Sequence, residues 1–144
     1  MSNSLYEQDF YAWANQQAAL LRAGKLDSAD VANIAEEIES MGRSEKRELV
    51  NRLAVLLLHL SKWRFQPAFQ SASWRSGIEE QRLRLGDHLK DNPSLKAQIN
   101  SAVDNAYRLA RVDAERETGL ARTTFPQTCP FTFDQAIAED FRPD

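Results

Sequence analysis

The chain has 144 residues, a formal net charge of -3, 42% hydrophobic residues and 27% charged residues. This length and composition fit one globular domain that can bury about two-thirds of the surface its unfolded chain exposes. The small negative charge excludes a global attraction to nucleic acid or to an anionic membrane. We therefore expect a single domain over residues 1–144, with any such binding confined to a local patch.

The first predicted helix covers about residues 5–23. Ser4 and Glu7 form a capping-box pattern at its start, and Gly24 supplies the left-handed residue that commonly ends a helix. One face is apolar except for Gln17, and it carries Tyr6, Phe10, Trp13, Leu20 and Leu21. Three aromatic residues on one short stripe predict that this helix docks on the core or forms an oligomer interface.

The second predicted helix is capped by Asp27 or Ser28 and has one apolar side and acidic other faces. The apolar side carries Val31, Ile34, Ala35, Ile38 and Met41, and the acidic residues are Asp30, Glu36, Glu37 and Glu39. After Gly42 the charge reverses, and residues 43–64 are basic. A turn at residues 42–44 would lay the acidic helix antiparallel to the basic one, with exposed ion pairs of about 0 to 1 kcal/mol each setting the orientation.

A Leu-rich helix over residues 49–64 is predicted to be the centre of the fold. One stripe carries Leu49, Leu53, Leu56, Leu60 and Trp63. Val55 and Leu58 lie on the opposite side, which indicates neighbours on several sides. The apolar run is broken at His59, far short of the roughly 18 residues that span a bilayer, so we expect no membrane segment.

Three further helices are predicted after Pro67, which ends the central helix. The fourth covers about residues 74–91, begins at a Ser71 or Ser73 cap, and aligns Trp74, Ile78, Leu85 and Leu89, with Gln81 and His88 interrupting the line. The fifth starts at Asn92 and Pro93 and ends near Gly119, and its narrow face carries Leu95, Ile99, Ala102, Val103, Ala106, Leu109 and Ala110. A short last helix starts at a Thr132 and Gln135 capping box, with Ile137 and Phe141 as its apolar contacts.

Taken together, these patterns predict an all-α fold: five main helices and a short C-terminal helix around the central Leu-rich helix. Asp113 continues the apolar stripe of the fifth helix, so either the helix has left the core there or Asp113 pairs with an arginine such as Arg64 or Arg82. Cys129, the single cysteine, has no adjacent base and is expected to be a small packing residue. A lone cysteine and an N-terminus without signal-peptide features favour a cytoplasmic protein.

The chain resembles the bacterial family catalogued as domain of unknown function 29. The matching pieces are YEQDFYAW, LLRAGKLD, IAEEIESMGRSEKREL, LAVLLLHLSKWRFQP, SWRSGIEEQR, DNPSL and FPQTCPFTFDQA. They occur in order over about residues 5–141. The resemblance implies a small bacterial helical domain and implies no activity, cofactor or catalytic residue.

One basic and aromatic cluster is the candidate binding patch: His59, Lys62, Trp63, Arg64, Trp74 and Arg75. Arginine offers planar donors to anions and tryptophan offers a stacking face, so this patch, extended by Arg82 and Arg84, would suit nucleic acid, another anion or an acidic peptide. In the alternative interpretation both tryptophans anchor the core and the cations cover their edges.

A metal site is the third interpretation, with Glu37, His59 and His88 as weak candidates. Helix-bundle di-iron sites use Glu-x-x-His, and the positions three before His59 and His88 hold Leu56 and Leu85. The preferred hypothesis is a non-catalytic interaction module that binds a protein partner or a second copy, with no cofactor. Nucleic-acid or anion binding is the alternative, and a metal-dependent enzyme comes third.

Overall fold

The structure, a computed structural model, describes residues 4–144, with side chains from Leu5 onward. Its α-helices are α1 (Ser4–Gln8), α2 (Phe10–Arg22), α3 (Val31–Phe65), α4 (Ala72–Asp91), α5 (Ile99–Thr118) and α6 (Phe133–Ile137). Single 3-10 turns cover Leu26–Ser28, Pro67–Phe69, Pro93–Gln98 and Arg122–Thr124. Residues 4–144 contain no strand, so the predicted all-α class is confirmed. The predicted capping box at Ser4 involves a side chain outside the described residues.

The described chain divides into two compact units, an N-terminal unit (residues 4–44) and a C-terminal unit (residues 45–144). The single domain over residues 1–144 stays a prediction. None of the helices in the described part of the chain is both long enough and apolar enough to cross a membrane.

In the N-terminal unit the predicted first helix is two helices, because the chain breaks at Asp9. The Asp9 backbone is not helical, and its carboxylate accepts a hydrogen bond from the Ala12 amide at 3.0 Å, which caps α2. Gly24 has a φ of 73° just after α2, which confirms its predicted role.

The predicted caps of the second helix are wrong. Asp27 and Ser28 lie in a 3-10 turn, and Asp30 caps α3 instead by accepting the Asn33 amide at 3.4 Å.

The predicted turn at residues 42–44 is also wrong, since α3 runs unbroken for 35 residues. Gly42 does not have a positive φ, and a glycine inside a helix costs only about 1 kcal/mol relative to alanine, too little to end a helix with favourable contacts on both sides. The charges pair along the helix instead of between antiparallel helices: Arg43 lies 3.0 Å from Glu36, and Arg52 lies 2.5 Å from Glu48.

In the C-terminal unit the Leu-rich stripe of α3 is the core, as predicted. Its fully buried members are Leu49, Leu53, Leu56, Leu57 and Leu60. Leu58 on the opposite side is also buried, whereas Val55 is exposed. The predicted neighbours therefore cover only part of the far side of α3.

Helices α4, α5 and α6 pack on this stripe. The buried residues of α4 are Ile78, Arg82, Leu85 and Leu89, and those of α5 are Ala102, Ala106, Tyr107, Ala110 and Ala114. The alanines allow α5 to approach closely. Leu109, predicted to be on the buried face of α5, is instead exposed.

Three helix starts can be compared with their predicted caps. Ser71 caps α4, since its hydroxyl accepts the Trp74 amide at 3.2 Å. Thr132 and Gln135 form the predicted capping box of α6. The predicted start of α5 at Asn92 is too early, because Pro93–Gln98 is a 3-10 turn and the Asn92 side chain donates back to the His88 carbonyl at the end of α4.

Candidate functional site

The six residues of the basic and aromatic patch come from the end of α3 and the first turns of α4. The short connection brings two cation–ring pairs together: Lys62 Nζ lies 5.0 Å from the centre of the Trp74 ring, and Arg75 Cζ lies 6.0 Å from that of Trp63. These contacts are within the range of cation–π attraction. The sequence therefore identified residues that are neighbours in space.

Most of the patch is occupied by internal contacts. Trp63 is only 8% exposed and belongs to the core, and Arg142 from the C-terminal segment lies 5.8 Å from the centre of its ring. Lys62 pairs with Glu117 of α5 at 2.9 Å, and Trp74 is half-buried against the core. Arg64 and Arg75 are the exposed members of the six. The arrangement offers two accessible guanidinium groups, and its role as a binding site stays a prediction.

His59 is half-buried between α3 and α4, with its ring against Gly77. A Cβ atom at position 77 would lie 2.9 Å from His59 Nε2, so only glycine permits this approach. His59 Nδ1 is buried and has no hydrogen-bond partner among the described residues. Burial, reinforced by the positive charge of Lys62, lowers the pKa of His59 below its usual 6.5. A neutral ring that packs against glycine is the state this environment favours.

Two of the weak metal candidates, Glu37 and His88, already contact other groups of the protein. Glu37 accepts a hydrogen bond from the Tyr6 hydroxyl, and this bond is the main reason that the pKa of Tyr6 is raised to about 12. His88 Nε2 lies 2.9 Å from the backbone oxygen of Glu45 and 3.7 Å from its carboxylate. Within residues 4–144, no group of three or more His, Cys, Asp or Glu side chains is placed to hold a metal ion.

Arg82 is a buried cation that the sequence interpretation assigned to the surface. It is 7% exposed, and its guanidinium donates to the carbonyls of Ala136 (2.7 Å), Glu139 (3.2 Å) and Phe141 (2.8 Å). Burial lowers the pKa of Arg82 to about 10, with a further contribution from the charge of Arg142, so it stays charged at neutral pH. Arg82 therefore clamps the C-terminal segment to α4 and is not available to nucleic acid.

Two other predicted sites have local explanations. Asp113 pairs with Arg116 on its own helix at 2.5 Å, which contradicts the alternative in which Asp113 pairs with Arg64 or Arg82. Cys129 is half-buried, and its thiol donates to the Phe131 carbonyl at 3.3 Å. Burial raises the pKa of Cys129, so its environment favours the thiol over the nucleophilic thiolate.

A groove of about 790 Å³ lies beside the Arg82 clamp in the C-terminal unit. It is lined by Glu79, Arg82, Leu83, Ile137, Glu139 and Asp140. Because the Arg82 guanidinium is directed at backbone carbonyls, the accessible charges of the lining are carboxylates. This groove has the wrong sign for an anion.

The N-terminal unit holds a surface that the sequence did not distinguish from core. The apolar side of the second predicted helix is exposed: Val31, Ile38 and Met41 are 63%, 58% and 62% exposed. Ala35 is also exposed, and Ile34 is half-buried. We call Val31, Ile34, Ala35, Ile38 and Met41 the α3 apolar face.

The packing of α2 on α3 uses a different side of α3. Trp13 Nε1 donates to the Asp30 carboxylate at 3.1 Å, and Gln17 Oε1 accepts the Asp30 amide at 2.7 Å. The Gln17 that interrupts the predicted stripe therefore has its own partner. Hydrogen bonds, chiefly from Asn33, keep the pKa of Asp30 below its usual value. These contacts fix the hairpin of α2 and α3 and leave the α3 apolar face uncovered.

The C-terminal unit has a Leu-rich helix with three α-helices packed on it and a C-terminal segment clamped by a buried arginine. The N-terminal unit is a helical hairpin with an exposed apolar face, and both units are all-α. The chain belongs to the family described as domain of unknown function DUF29, whose sequence model matches residues 5–142. This match covers nearly the whole chain and confirms the resemblance seen in the sequence. No curated protein and no solved structure matches the chain.

Proposed function

We propose that this protein is a non-catalytic interaction module and that the α3 apolar face binds a helix of another protein. The observation that carries the proposal is the exposure of this face. Of the large hydrophobic residues that are exposed in residues 5–144, eight of thirteen lie before Ser44: Leu5, Phe10, Tyr11, Leu21, Leu26, Val31, Ile38 and Met41. Single exposed hydrophobics are ordinary, but a contiguous stripe on one helix face is typical of an interaction surface.

The burial of the N-terminal unit supports the same proposal. Among the side chains described between residues 5 and 44, two are buried, Trp13 and Gln17. About 40 residues are too few to build a sufficient core without further contacts. A partner on the α3 apolar face would supply part of the burial that the hairpin does not supply itself.

The pattern of α3 indicates what kind of partner fits. Val31, Ile34, Ala35 and Ile38 follow the spacing i, i+3, i+4 and i+7, which is the pattern of one helix face. Apolar stripes with this spacing commonly pack against other helices, so a helix is the occupant that fits the face. Fully burying a large exposed side chain contributes about 1.5–3 kcal/mol, and Val31, Ile38 and Met41 still expose 63%, 58% and 62% of their surface, so docking would gain more than half of this contribution from each.

Site-specific photo-crosslinking in cells tests the proposal. A photoreactive residue at Ile38 should give one discrete adduct, and the same residue at Leu83, a leucine of α4 that is 71% exposed, should not. Val31→Ser should abolish the adduct, and mass spectrometry should place the attachment on a helix of a different protein. No adduct above the Leu83 control, or attachment to a second copy of this chain, would overturn the proposal.

Nucleic-acid or anion binding remains the alternative hypothesis, with less support. It depends on Arg64 and Arg75, since Lys62 pairs with Glu117 and Arg82 is buried. Its test is a gel shift with single-stranded and duplex DNA and RNA at low salt, in which Arg64→Ala and Arg75→Ala should each weaken binding.

The resemblance to a bacterial family and the lone half-buried thiol support the bacterial cytoplasm as the place of action.

A further inference from the structure

We propose that the helix bound by the α3 apolar face is amphipathic and carries lysine or arginine along the edges of its own apolar face. This inference rests on the proposed function and adds the chemistry of the partner. It is carried by the distribution of charge around the α3 apolar face.

The negative charge of the chain is concentrated in the N-terminal unit. That unit has three basic residues, Arg22, Lys25 and Arg43, and seven acidic ones, Glu7, Asp9, Asp27, Asp30, Glu36, Glu37 and Glu39. Its formal net charge is therefore -4, whereas residues 45–144, with 15 basic and 14 acidic residues, have a net charge of +1. A charge of -4 on about 40 residues attracts cations and steers a basic partner toward this unit.

Acidic side chains also border the α3 apolar face itself. On one edge, next to Ala35, Glu39 is exposed and forms no ion pair within the described residues. On the other edge, Asp30 and Glu37 accept hydrogen bonds from Trp13 and Tyr6. A basic side chain that reaches either edge from a docked helix would meet a carboxylate.

The same border disfavours a second copy of this chain. Pairing two α3 apolar faces would bring two acidic borders together, and like charges across an interface are unfavourable. The face spans about three helical turns, roughly 15 Å, which sets the length of helix that it can contact. A basic partner helix of about three turns would match the length of the face and complement its acidic border. Ala35, near the centre of the face, allows the two helices to approach closely.

Synthetic peptides of roughly four turns test this inference with the full chain. The first carries leucines on one face and lysines on both edges, the second replaces the lysines with glutamates, and the third has the composition of the first in scrambled order. Fluorescence anisotropy of labelled peptide should show the first binding about tenfold or more tighter than the other two, with affinity that falls as salt rises.

Two pairs of variants assign the binding to the α3 apolar face and its border. Ile38→Ser should remove binding of the lysine peptide, whereas Val112→Ser, at an exposed apolar position of α5, should not. Glu39→Gln should weaken the lysine peptide several-fold. The matched variant Glu80→Gln on α4 should leave it unchanged.

The outcomes separate this inference from the proposed function. If the lysine and glutamate peptides bind with equal affinity and Ile38→Ser removes the binding of both, the α3 apolar face binds helices but does not prefer basic ones. That result would overturn this inference and leave the proposed function standing. Lysine-peptide binding that Ile38→Ser does not affect would overturn the inference as non-specific charge attraction. Absence of binding by any peptide would also overturn it, and the crosslink at Ile38 would decide the proposed function independently. A dimer of the free protein that Ile38→Ser dissociates would replace the partner with a second copy.

Discussion

Arg82 is the residue whose environment differs most from its sequence pattern. It occupies a position between Ile78 and Leu85 on the buried side of α4, where its aliphatic stem packs and its guanidinium donates to three backbone carbonyls. These acceptors lie in a segment with little regular structure, so the arginine supplies the hydrogen bonds that a helix or sheet would otherwise provide.

We predict that Arg82→Met lowers the free energy of unfolding by about 1–3 kcal/mol. Methionine fills similar space but removes the side-chain donor of the buried Ala136 carbonyl, a loss that costs about 1–3 kcal/mol, whereas the carbonyls of Glu139 and Phe141 still accept from Arg142. Arg84→Met is the matched control, because Arg84 is exposed and pairs with exposed Glu80 at 2.8 Å, and it should change stability by less than about 0.5 kcal/mol. Urea unfolding followed by circular dichroism measures both, and equal effects of the two variants would contradict the clamp.

We predict that His59 makes stability fall as the pH drops below about 6.5. Burial lowers the pKa of His59 in the folded chain, so between the folded and unfolded pKa values the unfolded chain binds more protons. The contribution is fully present above the unfolded pKa and is lost progressively as the pH falls toward the folded one. Comparing urea unfolding of the wild type and His59→Gln at neutral and mildly acidic pH should show a larger loss for the wild type. A difference between them that does not change with pH would rule out this role.

The sequence identified the residues of the basic and aromatic patch but not which of them are buried or already paired. His59, Lys62, Trp63 and Trp74 are neighbours because helical spacing and a short connection dictate it, and both can be read from the chain. The internal contacts that occupy these residues come from Glu117 of α5 and from Arg142, which lie far along the sequence. Partners so distant leave no local signal, and for the same reason Arg82 looked like a surface cation.

At the scale of the element, α3 shows why a glycine and a change of charge are weak stop signals. Gly42 lies in the helix interior, does not have a positive φ, and would place an added Cβ in open space. The caps at Ser71 and Thr132 were predicted correctly, because both partners of each cap lie within four residues, whereas the predicted caps at Asp27 or Ser28 and at Asn92 were wrong. The predicted turn at residues 42–44 does not form, because helix continuity depends on favourable contacts along the whole of α3.

We predict that Gly42→Ala raises the free energy of unfolding by about 0.5–1 kcal/mol. Alanine loses less backbone entropy than glycine in a helix interior, and no neighbour obstructs its methyl group. Gly24→Ala is the control of opposite sign, because Gly24 has a φ of 73° that alanine adopts only with strain. Thermal and urea unfolding measure both. Destabilisation by Gly42→Ala would mean that α3 is not continuous at this residue.

At the scale of the whole molecule, one helix has two contrasting surroundings. The backbone hydrogen bonds of α3 are those of a continuous helix, yet its Leu stripe is buried in residues 49–63 and its apolar face is exposed in residues 31–41. Periodicity in the sequence reports that a face is apolar, and it cannot report whether another element covers that face. Coverage is a property of the assembled molecule, and here it distinguishes core from candidate interface.

We predict that this contrast appears in native-state hydrogen exchange. Amides of residues 31–41 should exchange at least about tenfold faster than those of residues 49–63, because packing, rather than the helical hydrogen bonds that both stretches share, sets the free energy of local opening. Ile38→Ser should leave exchange in the free protein nearly unchanged, since that side chain is already exposed, whereas Leu56→Ala should speed exchange throughout residues 49–63 by opening a cavity. A bound lysine-edged peptide should slow exchange selectively in residues 31–41. Uniform protection along α3 in the free protein would instead mean that the α3 apolar face is already covered in solution.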